Sequence, residues 1–172
     1  KSVLVDLNDA AATLPNSYNS VENITPLETP LSSTINGAAL ATPVFLSLYA
    51  ENDLRLDKYF AETDEKGFRK NKKAGSNNYL CTFRVGEIYL TAAEAAARLG
   101  ELSQARTRLL ELMRKRYAPE AYEAKSVVVN AMDKEALVQE ILDERARELA
   151  FEGHRWFDLR RSTRPRLEKV QI

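Results

Sequence analysis

The sequence predicts a mainly α protein, built of helical hairpins joined by long irregular loops. Three observations predict it. Apolar residues recur at three and four along most of the chain beyond residue 83. Glycine, proline and capping residues stand where those runs start and stop. Before residue 44, four of the six prolines lie among Ser, Thr, Asn and Gly, which disfavours regular structure.

The elements follow in chain order. Residues 2–6, "SVLVD", alternate and read as a short strand. The proline-rich stretch after it reads as long loops, a length that is normally functional or packs on another part of a protein. Residues 44–61 are the first helical candidate, with Asn52 or Asp53 capping a short helix that carries Leu54, Leu56, Tyr59 and Phe60. Residues 64–78 are polar, with five Lys or Arg, and read as a solvated loop.

From Phe83 the pattern is helical. Val85, Ile88, Tyr89, Ala92, Ala93 and Ala96 form one face. Gly100 then supplies the left-handed residue that ends a helix. A second helix runs from Leu102 to near Tyr117, before Pro119, with Ala105, Leu109, Leu112 and Met113 on its face. So short a link makes the two helices antiparallel neighbours. A third helix starts after Asp133, an N-cap, with Glu135 in its first turn. Its face holds Leu137, Val138, Ile141, Leu142, Leu149 and Ala150, and Gly153 stops or bends it. A last short helix, "HRWFDLRR" at 154–161, turns Trp156, Phe157 and Leu159 inward, and Pro165 closes it. The chain thus divides into a loop-rich region, 1–77, and a helical region, 78–172. The latter holds the pair at about 84–117 and terminal helices at about 133–161.

Composition narrows the function. The 172 residues carry 25 basic and 25 acidic side chains and are 44% hydrophobic. A net charge of zero gives no footprint for nucleic acid and no pull toward an anionic membrane surface. No run of roughly 18 apolar residues spans a bilayer. A single cysteine, Cys81, permits no internal disulfide and reads as a small packed hydrophobe, and with one histidine, His154, it excludes a His/Cys zinc cluster. No EF-hand ladder is present. No metal, cofactor or catalytic residue is expected.

Glu144, Arg145, Arg147, Glu148, Glu152, Arg155, Asp158 and Arg160 invite a catalytic reading, because Glu148 and Glu152 stand one turn apart. Ion pairing is the better reading: spacing brings Arg155 to Asp158 and Asp143 to Arg147. Carboxylates among guanidiniums stay ionised, whereas a general acid needs a raised pKa. His154 is expected to hydrogen-bond a carbonyl or carboxylate. Trp156 reads as core rather than as a platform for a sugar ring. For ligand contact outside helical cores the N-terminal loop offers Tyr18 with Asn16, Asn19, Asn23 and Asn36, an aromatic plane among amides. The same residues also suit ordinary loop turns.

Two resemblances go further. Tyr89, Ala92, Ala93, Gly100, Ala105 and Leu109 fall at the aromatic, small, turn and small positions of a tetratricopeptide unit, although its usual proline is displaced to Pro119. "FRVGEIYLTAAEAAARLGELSQARTRLLELMRKRY" at 83–117 and "EILDERARELAFEGHRWFDLRR" at 140–161 closely resemble the C-terminal signature of the SusD/RagB family. "LYAENDLRLDKYF" at 48–60 is similar to an element upstream of it. On this resemblance Glu87, Tyr89, Glu94, Gly100, Glu144, Arg145, Glu148, Glu152, Gly153, Arg155, Trp156 and Asp158 are structural signature positions, and the segment is a C-terminal portion. The resemblance implies a non-catalytic lipoprotein of the outer-membrane surface that binds oligosaccharide or polysaccharide. Its partner would be a SusC-like, TonB-dependent transporter, and its lipid anchor would lie outside this segment, since Cys81 precedes a mid-chain helix. The alternative is a tetratricopeptide-like protein-interaction module with no sugar site of its own; a glycoside hydrolase ranks below both.

Overall fold

The computed structural model describes residues 3–17, 20–27, 40–73 and 81–162. Among these, the fold is mainly α. Strand β1 (Asn23–Leu27) pairs antiparallel with β5 (Cys81–Arg84), so the loop-rich and helical regions share a sheet. A second sheet has the order β2 (Leu40–Ala41), β4 (Arg69–Asn71), β3 (Phe60–Thr63). The helices are α1 (Pro43–Leu46), α2 (Arg55–Tyr59), α3 (Val85–Leu99), α4 (Leu102–Met113), α5 (Pro119–Ala131), α6 (Lys134–Glu148) and α7 (Arg155–Arg161).

The α3–α4 hairpin forms as the sequence predicts. Gly100 sits at φ +87°, and its N–H bonds back to the carbonyls of Ala96 and Ala97. The buried face of α3 is rotated from the expected one. Leu90, Ala93, Ala96 and Ala97 are buried, whereas Ile88 is exposed and Tyr89 and Ala92 are half-buried. The rotation follows from packing α3 against both α4 and α6. Its small residues let backbones approach, and Ala93, Ala97, Ala105, Leu109, Leu112, Leu137 and Ile141 close into one apolar cluster. Helix α4 ends at Met113, earlier than expected, and Tyr117 instead bridges to Asp53. Asp133 caps α6, accepting from the Ala136 N–H at 2.9 Å.

Four expectations are corrected. Residues 3–6 form no strand: the Val5 N–H is taken by the Glu22 carboxylate and the Leu7 N–H by the Lys115 carbonyl, leaving no ladder to join. The 44–61 candidate splits. Thr42 caps α1 with Pro43 at its first position, α2 is five residues long, and Phe60 already lies in β3. The supposed loop at 64–78 contains β4, joined to β3 by a turn in which Asp64 accepts from the Lys66 and Phe68 N–H groups. Helix α5 was not expected; Val129 is its one fully buried residue, so no apolar stripe announces it.

A second core lies around Phe60. Tyr49 and Phe151 meet its ring edge-on, with centroids 5.5 and 6.1 Å away. Phe151 takes φ +61°, a strained conformation for a bulky residue. That turn follows the end of α6 at Glu148 and closes at Gly153, φ +84°. It places Phe151 among Phe45 and Phe60, whose packing offsets the strain.

Candidate functional site

The last two turns of α6 and the turn beyond it run between the two apolar cores and carry a buried ion network. Glu148 is its centre. Its Oε1 accepts from Arg84 Nη1 at 2.7 Å and Arg116 Nη2 at 2.9 Å. Its Oε2 accepts from Arg116 Nε at 2.9 Å and Arg55 Nη1 at 3.1 Å. One turn earlier, Glu144 accepts from Arg55 at 2.7 Å and Arg147 at 2.8 Å. Asp53 holds Arg55 in a two-point grip, at 2.8 and 2.7 Å. Glu152 accepts twice from Arg84, at 2.9 Å each, and from Lys73. Glu22 reaches Arg84 at 3.0 Å, and also Arg116. Five cations (Arg55, Lys73, Arg84, Arg116, Arg147) thus face five carboxylates (Glu22, Asp53, Glu144, Glu148, Glu152), all buried.

The electrostatics follow from that count. Burial pushes the Glu144 carboxyl up, but Arg55 and Arg147 outweigh it and hold it at about 2. Burial likewise opposes ionisation of Glu148, and three guanidiniums hold it well below the usual carboxylate range. Glu152 is lowered in the same way by Arg84 and Lys73. Burial brings the Lys73 ammonium down to about 8. Glu144, Glu148 and Glu152 are thus held in their charged forms. The arrangement can crosslink the chain, but its lowered carboxyls offer no protonated carboxylic acid, and its charged groups are turned away from water.

The network joins segments far apart in sequence. Arg116 also donates to the Val5 carbonyl, and Lys73 to the carbonyls of Glu148 and Ala150, at 2.9 and 3.1 Å. Sequence reasoning placed Glu144, Glu148 and Glu152 in such a cluster but not Glu22, Arg55, Lys73, Arg84 or Arg116. Periodicity does not tell a buried arginine from a solvated one. Gly86 was the available signal: any Cβ there would lie 2.6 Å from Arg84 Nη1 and 3.1 Å from Glu148 Oε1.

The expected ion pairs are replaced by others. Asp158 is held by Arg145 at 3.1 Å and Arg161 at 2.8 Å, while Arg155 is exposed. Arg147 pairs with Glu144 and Glu140, while Asp143 accepts from Gln139 at 3.0 Å. The aromatic face of α7 is also corrected: Trp156 is 52% exposed and Phe157 68% exposed. Asp158 is the buried residue of this helix, so a polar anchor, not an apolar one, sets its orientation. The Arg160 guanidinium lies over the Trp156 ring, 5.9 Å from its centroid.

The remaining candidates are placed as follows. Glu87 faces His154 Nδ1 at 3.7 Å. Tyr89 is half-buried, beneath the Arg108 guanidinium at 5.8 Å. Glu94 takes Arg98 at 2.9 Å and Arg161 at 2.7 Å. Tyr18, Asn19 and Asn36 lie outside the described residues, as does the Cys81 side chain. Asn16 is buried and donates to the Lys73 carbonyl at 2.8 Å, so it supports the loop from within. Asn23 opens β1 and is half-buried.

Comparison with known proteins decides the lineage. Residues 38–169 match the SusD family profile. The chain belongs to the SusD family. Its mainly helical fold is the SusD-like one, and all ten carboxylates and cations of the network except Glu22 lie in the matched range. Over 115 residues, 66% of this chain, it is 31% identical to a SusD-like protein, P38, of Formosa agariphila. That alignment covers 22% of the relative, so the chain spans less than a quarter of the SusD-like protein it matches.

Proposed function

We propose that this chain is the helical framework of a surface glycan-binding protein that captures oligosaccharide and passes it to a SusC-like, TonB-dependent transporter. The match to the SusD family over most of the chain carries this reading. The protein would act at the outer membrane, held by a lipid anchor outside these residues. It would break no bonds. The carboxylates best placed for hydrolysis, Glu148 and Glu152, are buried and saturated by guanidinium and ammonium groups.

An interaction module without a sugar site is the second reading. Its support is α5, where Val127 and Val128 are exposed on a helix that presents little buried surface. Unpaired apolar surface of this kind suits another helix.

Isothermal titration of the intact protein against starch, plant and host oligosaccharides separates the readings. Binding to at least one sugar, with no shortened product after long incubation, is expected. Silence across the panel with retained capture of the transporter would favour the second reading. Accumulating hydrolysis products would contradict both.

A further inference from the structure

An open cleft of about 410 Å³ lies apart from the buried network, lined by Thr91, Glu94, Ala95, Arg98, Arg145 and Arg161. Its volume falls in the roughly 300–1,000 Å³ range of small-molecule sites. Helix α3 supplies four of the lining residues, α6 supplies Arg145, and Arg161 ends α7.

The carboxylates here are turned inward and used. The Glu94 side chain is 7% exposed and accepts from Arg98 and Arg161. Asp158, beneath the cleft, is 5% exposed and accepts from Arg145 and Arg161. Burial pushes the Glu94 carboxyl up, yet the hydrogen bonds from Arg161 and Arg98 hold it below its ordinary value. It therefore stays charged and keeps both guanidiniums in place.

Two of the three cations are turned outward: the Arg98 side chain is 50% exposed and that of Arg161 41%, whereas Arg145 is 6% exposed and donates to Asp158 and Thr91. Three guanidiniums face two carboxylates, leaving one positive charge in excess. A guanidinium presents five N–H donors in a rigid fork suited to a planar or tetrahedral oxyanion. Fixing that fork before binding lowers the ordering cost. Thr91 accepts from Arg145 Nη1 at 3.1 Å, which leaves its own hydroxyl proton to donate.

We infer that this cleft is an anion subsite, in which the exposed Arg98 and Arg161 take the carboxylate or sulfate group of an acidic oligosaccharide, with the buried Arg145 adding positive charge at its wall. The inference rests on the glycan-binding reading and adds the substrate class. Thr91 would meet a neighbouring sugar hydroxyl.

The test follows the arginine Nε–H signals of the isotopically labelled intact protein. The titrants are an oligouronate, a sulfated oligosaccharide, a neutral oligosaccharide and inorganic sulfate. At least one acidic oligosaccharide should shift the Arg98 and Arg161 signals and bind more tightly than the neutral one. Arg98→Gln should weaken that binding about tenfold, as loss of a charged hydrogen bond implies. A larger response to the uronate than to the sulfated sugar would name the carboxylate as the source, and the reverse would name the sulfate. Acidic sugars that leave these signals unmoved, or bind Arg98→Gln equally well, overturn the inference. If the neutral sugar binds all the same, the glycan reading survives. Shifts with inorganic sulfate but with no oligosaccharide mean an adventitious ion only, and overturn both.

Discussion

Gly86 shows how a buried ion network constrains a single position. It lies in the first turn of α3, where alanine ordinarily stabilises a helix by about 1 kcal/mol over glycine. Here a Cβ would meet Arg84 Nη1 at 2.6 Å, Glu148 Oε1 at 3.1 Å and Glu22 Oε2 at 3.2 Å. None of these atoms can retreat without stretching a buried charged hydrogen bond. Gly86→Ala should therefore lower the urea-unfolding free energy by about 1–3 kcal/mol, the scale of overpacking. A stabilised variant would show that the ions yield easily. At this scale the sequence was partly legible. The density of Glu and Arg in 140–161 pointed to ion pairs, but helical spacing chose the wrong partners. Asp158 and Arg147 look across to other elements rather than only along their own helix.

Among the elements, the α3–α4 hairpin and α6 were legible because their signals are local: a 3.6-residue period, a left-handed Gly100 and an Asp133 cap. Helix α5 was not, because its burial is slight and its start is marked by Pro119 without a capping side chain. The facing of α7 was not legible either. Aromatic residues in a short helix suggest a core, but the buried contacts of Asp158 fix the rotation. Gly100 isolates a backbone effect, since nothing lies within 4 Å of where its Cβ would be. Gly100→Val should cost about 1–2 kcal/mol, the strain of a left-handed L-residue, whereas Gly100→Asn should cost less. Calorimetry of the two variants checks this, and equal melting temperatures for valine and parent would contradict the turn's role.

For the whole molecule, the network is a cross-brace. It ties Glu22 and the Val5 carbonyl, α2 through Arg55, β5 through Arg84, and the end of α4 through Arg116 to α6. Buried pairs need not stabilise more than apolar packing would, but a stranded partner is costly. Such a brace suits a framework that leaves recognition to its surface. The family was legible from three motifs, while the cleft was not, since it needs α3, α6 and α7 brought together.

The pH dependence of stability follows from the depressed carboxylates. The folded protein binds fewer protons than the unfolded chain below the ordinary glutamate value, so stability falls with pH there. For Glu144 the contribution is fully present above its ordinary value of 4.5 and is lost as pH falls through about 2. It amounts to about 3 kcal/mol for this group alone. Glu148 and Glu152 act in the same direction. The unfolding free energy measured in urea from pH 6 down to pH 2 tests the brace most directly. A steep fall below about pH 4.5, accompanied by proton uptake on unfolding, is the predicted result. A free energy that stays level across that span would mean the carboxylates are not held by their arginines.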